Sequence, residues 1–229
     1  MMSFGGREVA ADGKTVTINS KGTIEAVKFM TAMWKDSCDE GGLAWDDASN
    51  NRAFLAGTIS STLNGASIYI ESLRKPDQYK TADGKPLKGD ILHAPMPSGP
   101  GGQFGYHLYS SHVIPKYSKN EKAAKDLLKF LHTPANYEQW FTTGKGFYQP
   151  GTVNWETHKM WDEDPIMKPF SKIGATAVTV GADGEPNAKA AEVLSKYLIV
   201  NMFASAIKGQ SAEDAVKAAE SELKKIYGA

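Results

Sequence analysis

The apolar positions near the amino terminus change period within a few residues. After an Asp12-Gly13 turn, Val16 and Ile18 alternate with polar neighbours, the period-two mark of a strand or hairpin arm. From Ser20 onward Ile24, Val27, Met30, Met33 and Trp34 recur at spacings of three and four. This predicts a helix with Ser20 as N-cap and those side chains on one buried stripe. Beyond Gly41-Gly42 a short helix is expected over Asn50 to Ala56, ended by Gly57. The β-branched run from Thr58 to Leu63 then predicts a strand, stopped at Asn64-Gly65.

Arg74 to Gly89 is polar and reads as a loop; Asp90 to Ala94 is another short strand candidate. It runs into Pro95-Met96-Pro97-Ser98-Gly99-Pro100-Gly101-Gly102, the strongest linker signal, read here as a flexible crossing between lobes. Tyr106 to Ile114 is expected to be a strand. Ser118 and Glu121 have capping-box spacing ahead of Ala124, Leu127, Leu128 and Leu131, a helix with one apolar face. Thr133-Pro134 opens the next helix, which carries Tyr137, Trp140 and Phe141, and Gly144 to Pro150 is a loop. Helical segments follow at Val153 to Trp161, Pro165 to Ile173 and Pro186 to Lys208. The last is apolar nearly all round from Leu194 to Ile207, so a central buried helix closed by Gly209 is expected. Ser211 and Asp214 start a terminal amphipathic helix with Val216, Ala219, Leu223, Ile226 and Tyr227 on one side.

Strands that are few, short and separated by helices imply an α/β class, with too little sheet to cover so many helices. The sheet is expected to be incomplete. A chain with an unpaired sheet edge is either part of something longer or completes itself as a homo-oligomer through that edge.

Composition narrows the partners. With 41% hydrophobic residues over 229 positions the chain can bury a sizeable core. Lys plus Arg and Asp plus Glu are 26 each, with no long block of one sign, so the electrostatic footprint of a nucleic-acid binder is missing. The single cysteine, Cys38, reads as a half-buried small hydrophobe beside Trp34. The apolar stretch around Leu198-Ile199-Val200 is broken by Asn201 and read as short of the ~20 residues that span a bilayer. The residues from Met1 to Arg7 have no apolar core of a signal peptide.

Chemical motifs are equally sparse. His93, His107, His112, His132 and His158 have no zinc spacing, and Asp162-Glu163-Asp164 before Pro165 reads as a helix cap, so no metal is expected. Gly99 to Gly105 lacks the Lys-Ser/Thr of a phosphate loop and the setting of a dinucleotide fingerprint, so no cofactor is expected either. There is no Gly-x-Ser-x-Gly elbow.

The order of landmarks resembles the extracellular solute-binding proteins of carbohydrate ABC importers, over essentially the whole chain. Phe4-Gly5-Gly6 and the run Asp12 to Ser20 are similar to the family's approach to its helix. Ala53 to Gly65 is similar to its helix-and-strand segment, and Pro95 to Pro100 to its Pro-x-Pro-x-Gly. Ser118 to Ala124 and Gly146-Phe147-Tyr148-Gln149-Pro150 match later segments, the second beside the ligand. Two departures stand out. Ala66-Ser67-Ile68 occupies the place where a sugar-stacking tryptophan is common, with Tyr69 slightly later, and Gly57-Thr58-Ile59 replaces Gly-Lys-Ala.

The resemblance implies a periplasmic-binding-protein-like (type II) α/β fold, here a helix-rich carboxyl-terminal lobe with an incomplete sheet. It implies lobes divided as 1–102 (carboxyl-terminal lobe, first part), 103–133 (crossing strand and helix of the amino-terminal lobe) and 134–229 (helical carboxyl-terminal lobe, second part). Family members usually carry a signal peptide and a first lobe before the point where Met1 stands, so a downstream half is expected. The expected function is capture of a small polar ligand such as a sugar, outside the cytoplasm, for the membrane permease of an ABC importer.

Sugars are held by aromatic faces and planar polar side chains on loops near strand ends. The candidates are Asn64 and Ser67 after the strand expected at Thr58 to Leu63, Tyr106 and His107 after the crossing, and Tyr148, Gln149 and Trp155 around the Gly-Pro loop. Each also has a structural reading, whereas Trp34, Trp45, Trp140 and Trp161 are expected to be packing residues. Two rival functions stay open: a carbohydrate-active enzyme fragment using Asp46, Asp47 or Glu156 as acid and base, and a non-binding helical oligomeric scaffold.

Overall fold

A computed structural model describes residues 1–107, 110–149, 151–179, 181, 184 and 187–228. Its helices are α1 (Lys21–Ser37), α2 (Ser49–Leu55), α3 (Ser67–Arg74), α4 (Glu121–Leu131), α5 (Pro134–Thr143), α6 (Met160–Glu163), α7 (Ala188–Ser195), α8 (Leu198–Ile207) and α9 (Ala212–Tyr227). Strands β1 (Gly105–Tyr106) and β2 (Ala177–Val178) pair in parallel, Gly105 opposite Ala177 and Tyr106 opposite Val178. The chain folds into two compact units. One comprises Met1–Asp47, Met96–His107 and Thr176–Ala229; the other comprises Ala48–Pro95 and Leu108–Ala175.

The first unit is built on local signals that behave as expected. The Asp12 carboxylate accepts from the backbone N–H groups of Lys14 and Thr15 at 2.9 Å each, and from the Thr15 hydroxyl at 2.6 Å. The turn this stabilises leads to a single antiparallel bridge, Val9 to Val16. Ser20 Oγ accepts from Thr23 N at 3.2 Å and opens α1, and Ser211 Oγ accepts from Asp214 N at 3.1 Å and opens α9. Helices α1, α8 and α9 then pack on one another around Val9, Ile18, Val27, Met202, Val216 and Leu223.

The buried stripe of α1 differs from the expected one. Thr23, Ala26 and Val27 face the core, Ile24, Met30 and Trp34 are half-buried, and Met33 is 36% exposed. The fully buried residues of α1 thus all lie in its first half. The single helix expected over Pro186 to Lys208 is two helices: Pro186 lies outside the described residues, and Tyr197, at φ 53°, ψ 32°, turns the chain between α7 and α8. By length and composition Ala188–Ile207 would pass for a membrane span, contrary to the sequence reading. The left-handed residue divides it, and Val193, Met202 and Ala206 are buried in the core. Nor is the stretch from Leu194 to Ile207 buried all round: Leu194 at the end of α7, Tyr197 between the helices and Val200 of α8 are 44–57% exposed.

The glycine-rich segment is not a loose crossing. Gly101 N–H donates to Ser3 O at 2.7 Å, and a Cβ at Gly101 would lie 2.4 Å from Gly5 N. Only glycine allows that approach.

The second unit packs Ala66, Ile68, Tyr69, Ile91, Phe141, Met160, Trp161, Met167 and Phe170 together. Helix α2 is closed by Gly57 at φ 72°, as expected, and Thr133 and Pro134 open α5. The strands expected at Thr58 to Leu63 and Asp90 to Ala94 are irregular chain, and the one expected from Tyr106 is reduced to β1. Leu108 and Tyr109 in that stretch lie outside the described residues. A strand persists only where another supplies its hydrogen-bond ladder; β2 supplies one to β1, and Thr58 to Leu63 and Asp90 to Ala94 have none among the described residues.

The capping box is not made: Ser118 Oγ accepts from Asn120 N at 3.3 Å, and Asn120 stands at the N-cap without a side-chain bond. The apolar face of α4 is open, with Leu127, Phe130 and Leu131 42–61% exposed. Asp164 precedes the turn Pro165–Phe170, but its carboxylate accepts from the Tyr69 hydroxyl at 3.0 and 3.2 Å instead of capping.

Candidate functional site

Within the second unit α2 and α3 are stitched together by amides. Asn64 Nδ2 donates to Asn51 Oδ1 at 2.6 Å, and Asn51 Nδ2 donates to Ser67 Oγ at 3.1 Å. Asn64 Oδ1 also accepts from Gly65 N at 2.9 Å, so the side chain holds the turn that starts α3. Asn51 and Ser67 form one wall of a cleft of about 660 Å³, with Ile70, Glu71, Leu73 and Arg74 of α3 continuing it. The rest of the lining is Thr143, Gly144, Lys145, Phe147 and Tyr148, from the end of α5 and the loop after it.

That loop is shaped by backbone. Lys145 has φ 47° and Gly146 φ 74°, and a Cβ on Gly146 would come within 3.0 Å of the buried Trp161 ring. The loop is thereby clamped to the core, and Tyr148 stacks on Trp140 with centroids 4.3 Å apart and planes 23° from parallel. Phe147 meets Tyr148 edge-on at 5.0 Å. Tyr148 and Trp140 keep 42% and 45% of their surface exposed, so Trp140, expected as a packing residue, adds to an accessible aromatic face. Trp161, at 2% exposed, is the core residue it was expected to be. Glu71 is the only carboxylate lining the cleft among the described residues; the hydrogen bond from Lys75 holds its carboxyl below the usual range.

Asn64, Ser67 and Tyr148 are therefore brought to one place. Gln149 folds back on its own loop, donating to the carbonyls of Gly146 and Phe147 at 3.3 and 3.2 Å; Pro150, beside it, lies outside the described residues. Trp155 packs against Tyr137 at 4.8 Å and Phe141 at 5.3 Å, and its carbonyl accepts from Trp161 Nε1. Tyr106 and His107 belong to the first unit. Tyr106 lines an apolar pocket there of about 290 Å³ with Val9, Val178, Val193, Leu198 and Ile199. His107 N donates to Val178 O at 2.8 Å, and burial pushes its imidazole pKa down.

Asn51, Glu71, Arg74 and Lys145 were not singled out from the sequence. The Asn50-Asn51 doublet in a short helix and a lysine between two glycines were the available signals. Among the described residues no group of three His, Cys, Asp or Glu side chains is placed to hold a metal ion.

The family model for bacterial extracellular solute-binding proteins matches residues 1–169. The chain belongs to that family. A relative from Deinococcus radiodurans, described as a probable ABC transporter-binding protein, is 24% identical over 234 residues, covering 99% of this chain and 51% of the relative. The maltose-bound structure of T. maritima MalE3 superposes with a TM-score of 0.69 at 25% identity, covering 98% of this chain and 55% of that one. The resemblance read from scattered landmarks is thus a family relationship, and the fold is the helix-rich α/β type of a periplasmic binding protein. The chain spans about half the length of the solute-binding relatives it matches.

Proposed function

We propose that this chain supplies the ligand-capturing part of an ABC importer's solute-binding protein, and that it takes a sugar or related small polar solute in the cleft of the second unit. The observation that carries this reading is the exposed ring of Tyr148, backed by Trp140, in the same cleft lining as the amide and hydroxyl groups of Asn51 and Ser67. An aromatic face receives the C–H surface of a pyranose, and planar polar groups receive its hydroxyls. The names of the two relatives, one a transporter-binding protein and the other maltose-bound, favour the same reading.

Ser67 and Tyr148 are the proposed direct contacts, with Asn64 positioning Asn51 and with Gln149 and Trp155 contributing less directly; Tyr106 and His107 are proposed as ligand residues of the first unit, outside this cleft. We assign residues 1–102, 103–133 and 134–229 to successive lobe segments. The compact units divide the chain differently, changing at 47/48, 95/96, 107/108 and 175/176, so only the proposed boundary at 102/103 falls near one of theirs. Capture outside the cytoplasm, recognition of the ligand-bound state by a membrane permease, and the absence of catalysis and of nucleic-acid binding complete the proposal.

Titration calorimetry of the 229-residue chain against neutral sugars and polyols tests it. Saturable heat with at least one, lost in Tyr148→Ala, is expected. No heat with any of them overturns the reading.

A further inference from the structure

The cleft has more charge than a neutral sugar needs. Its charged lining is Glu71, Arg74 and Lys145. Glu71 is already engaged: Lys75 Nζ sits 2.7 Å from its carboxylate and Arg74 Nη1 at 3.9 Å. Lys145 has no carboxylate partner among the described residues. Its backbone is also unusual. At φ 47° a lysine occupies a left-handed conformation that glycine would adopt without strain, in a turn already made of Gly144 and Gly146. Gly146 packs so closely on Trp161 that a Cβ there would come within 3.0 Å of the ring, so the strained turn sits directly on the core. A strained residue fixed at the wall of a cleft, with an unneutralised ammonium, points to a ligand that uses the charge.

Resting on the saccharide reading above, we infer that the cleft prefers anionic saccharides, with Lys145 and Arg74 receiving the carboxylate or phosphate while Tyr148, backed by Trp140, holds the ring. Lysine contributes a compact point charge and arginine a planar fork of donors, and charge-assisted hydrogen bonds to an oxyanion are stronger than the neutral ones that hydroxyls make. Glu71, neutralised by Lys75, does not cancel this preference.

Calorimetry of the intact chain with D-glucose, D-glucuronate and glucose 6-phosphate, at low and at high salt, tests the inference and separates the two anionic sources. At low salt at least one anionic sugar is expected to bind about tenfold tighter than glucose, with the difference shrinking as salt screens it. Lys145→Gly is expected to weaken the anionic sugar about tenfold. Its melting temperature should not fall, since glycine relieves the backbone. Equal affinity for glucose and both anions overturns the anionic preference and leaves the saccharide reading standing. Binding of none of the three, together with silence across the neutral panel, removes both. A Lys145→Gly protein that loses glucose and the anionic sugar to the same extent also overturns it, because the lysine then shapes the cleft and does not read charge.

Discussion

The hydroxyl of Tyr227 donates a 2.8 Å hydrogen bond to the carboxylate of Glu8, tying the last turn of α9 to the chain's amino-terminal segment inside the core of the first unit. Glu8 is only 8% exposed. Burial raises its pKa, and the bond from Tyr227 opposes that rise without cancelling it. Burial also raises the pKa of Tyr227, so the phenol remains a donor throughout the ordinary pH range.

This pair makes stability depend on pH in a specified direction. A carboxyl whose folded pKa is raised binds its proton more tightly in the folded state, so stability falls as pH climbs from the usual carboxylate range through the folded value. Each pKa unit of difference corresponds to about 1.4 kcal/mol. Glu8→Gln, which still accepts from Tyr227, is expected to flatten that fall and to be more stable than the parent at neutral pH. It should show no such advantage in acid. Tyr227→Phe leaves the buried carboxylate without its donor and is expected to lose about 1–3 kcal/mol at neutral pH. Urea denaturation followed across pH checks both.

Two glycines of the second unit share a left-handed backbone but not an environment. Gly57, at φ 72°, has open space where a side chain would begin, whereas Gly146, at φ 74°, would press a Cβ to 3.0 Å from the Trp161 ring. Gly57→Ala is expected to cost about 1 kcal/mol of backbone strain. Gly146→Ala adds overpacking against the core and is expected to cost roughly 2–4 kcal/mol. Equal losses in thermal denaturation would show that the loop is not held against Trp161.

The contrast between signals that survived and those that failed follows their range. Ser20, Ser211, Asp12 and Gly57 act within three or four residues, so their caps and turns were legible. Thr58 to Leu63 has the composition of a strand, but a ladder depends on distant partners that composition does not record. The break at Tyr197 had no warning, because tyrosine is not a residue that favours left-handed backbone. In the cleft lining, Tyr148 was legible through the landmark loop around it. Lys145 was not, because the role proposed for it depends on a backbone angle and on the neutralisation of Glu71 by Lys75.

In the first unit the docked glycine segment makes a separate prediction. Gly101→Ala forces a Cβ against Gly5 N at 2.4 Å and Met2 O at 2.6 Å, both backbone atoms that cannot rotate away. The segment is expected to lift from residues 3–5, breaking the 2.7 Å bond from Gly101 N to Ser3 O. Limited proteolysis should then cleave near residue 100 several-fold faster than in the parent. An unchanged cleavage rate would mean that the contact contributes little to holding the segment down.

The aromatic face allows the ring contribution to binding to be separated from the hydroxyl contribution. Tyr148→Phe keeps the stack on Trp140 and removes only the hydroxyl, so saccharide affinity is expected to change less than about threefold. Tyr148→Ala removes the stacked surface, worth about 0.5–1.5 kcal/mol beyond its buried area, and is expected to weaken binding about tenfold or more. Trp140→Ala takes away the support beneath Tyr148 without touching the cleft lining, since Trp140 is not among the residues that form the wall. It should weaken binding by an intermediate amount, mainly because the tyrosine ring is no longer held in place. If Tyr148→Phe weakens binding as much as Tyr148→Ala in calorimetry, the hydroxyl carries the recognition and the stack does not.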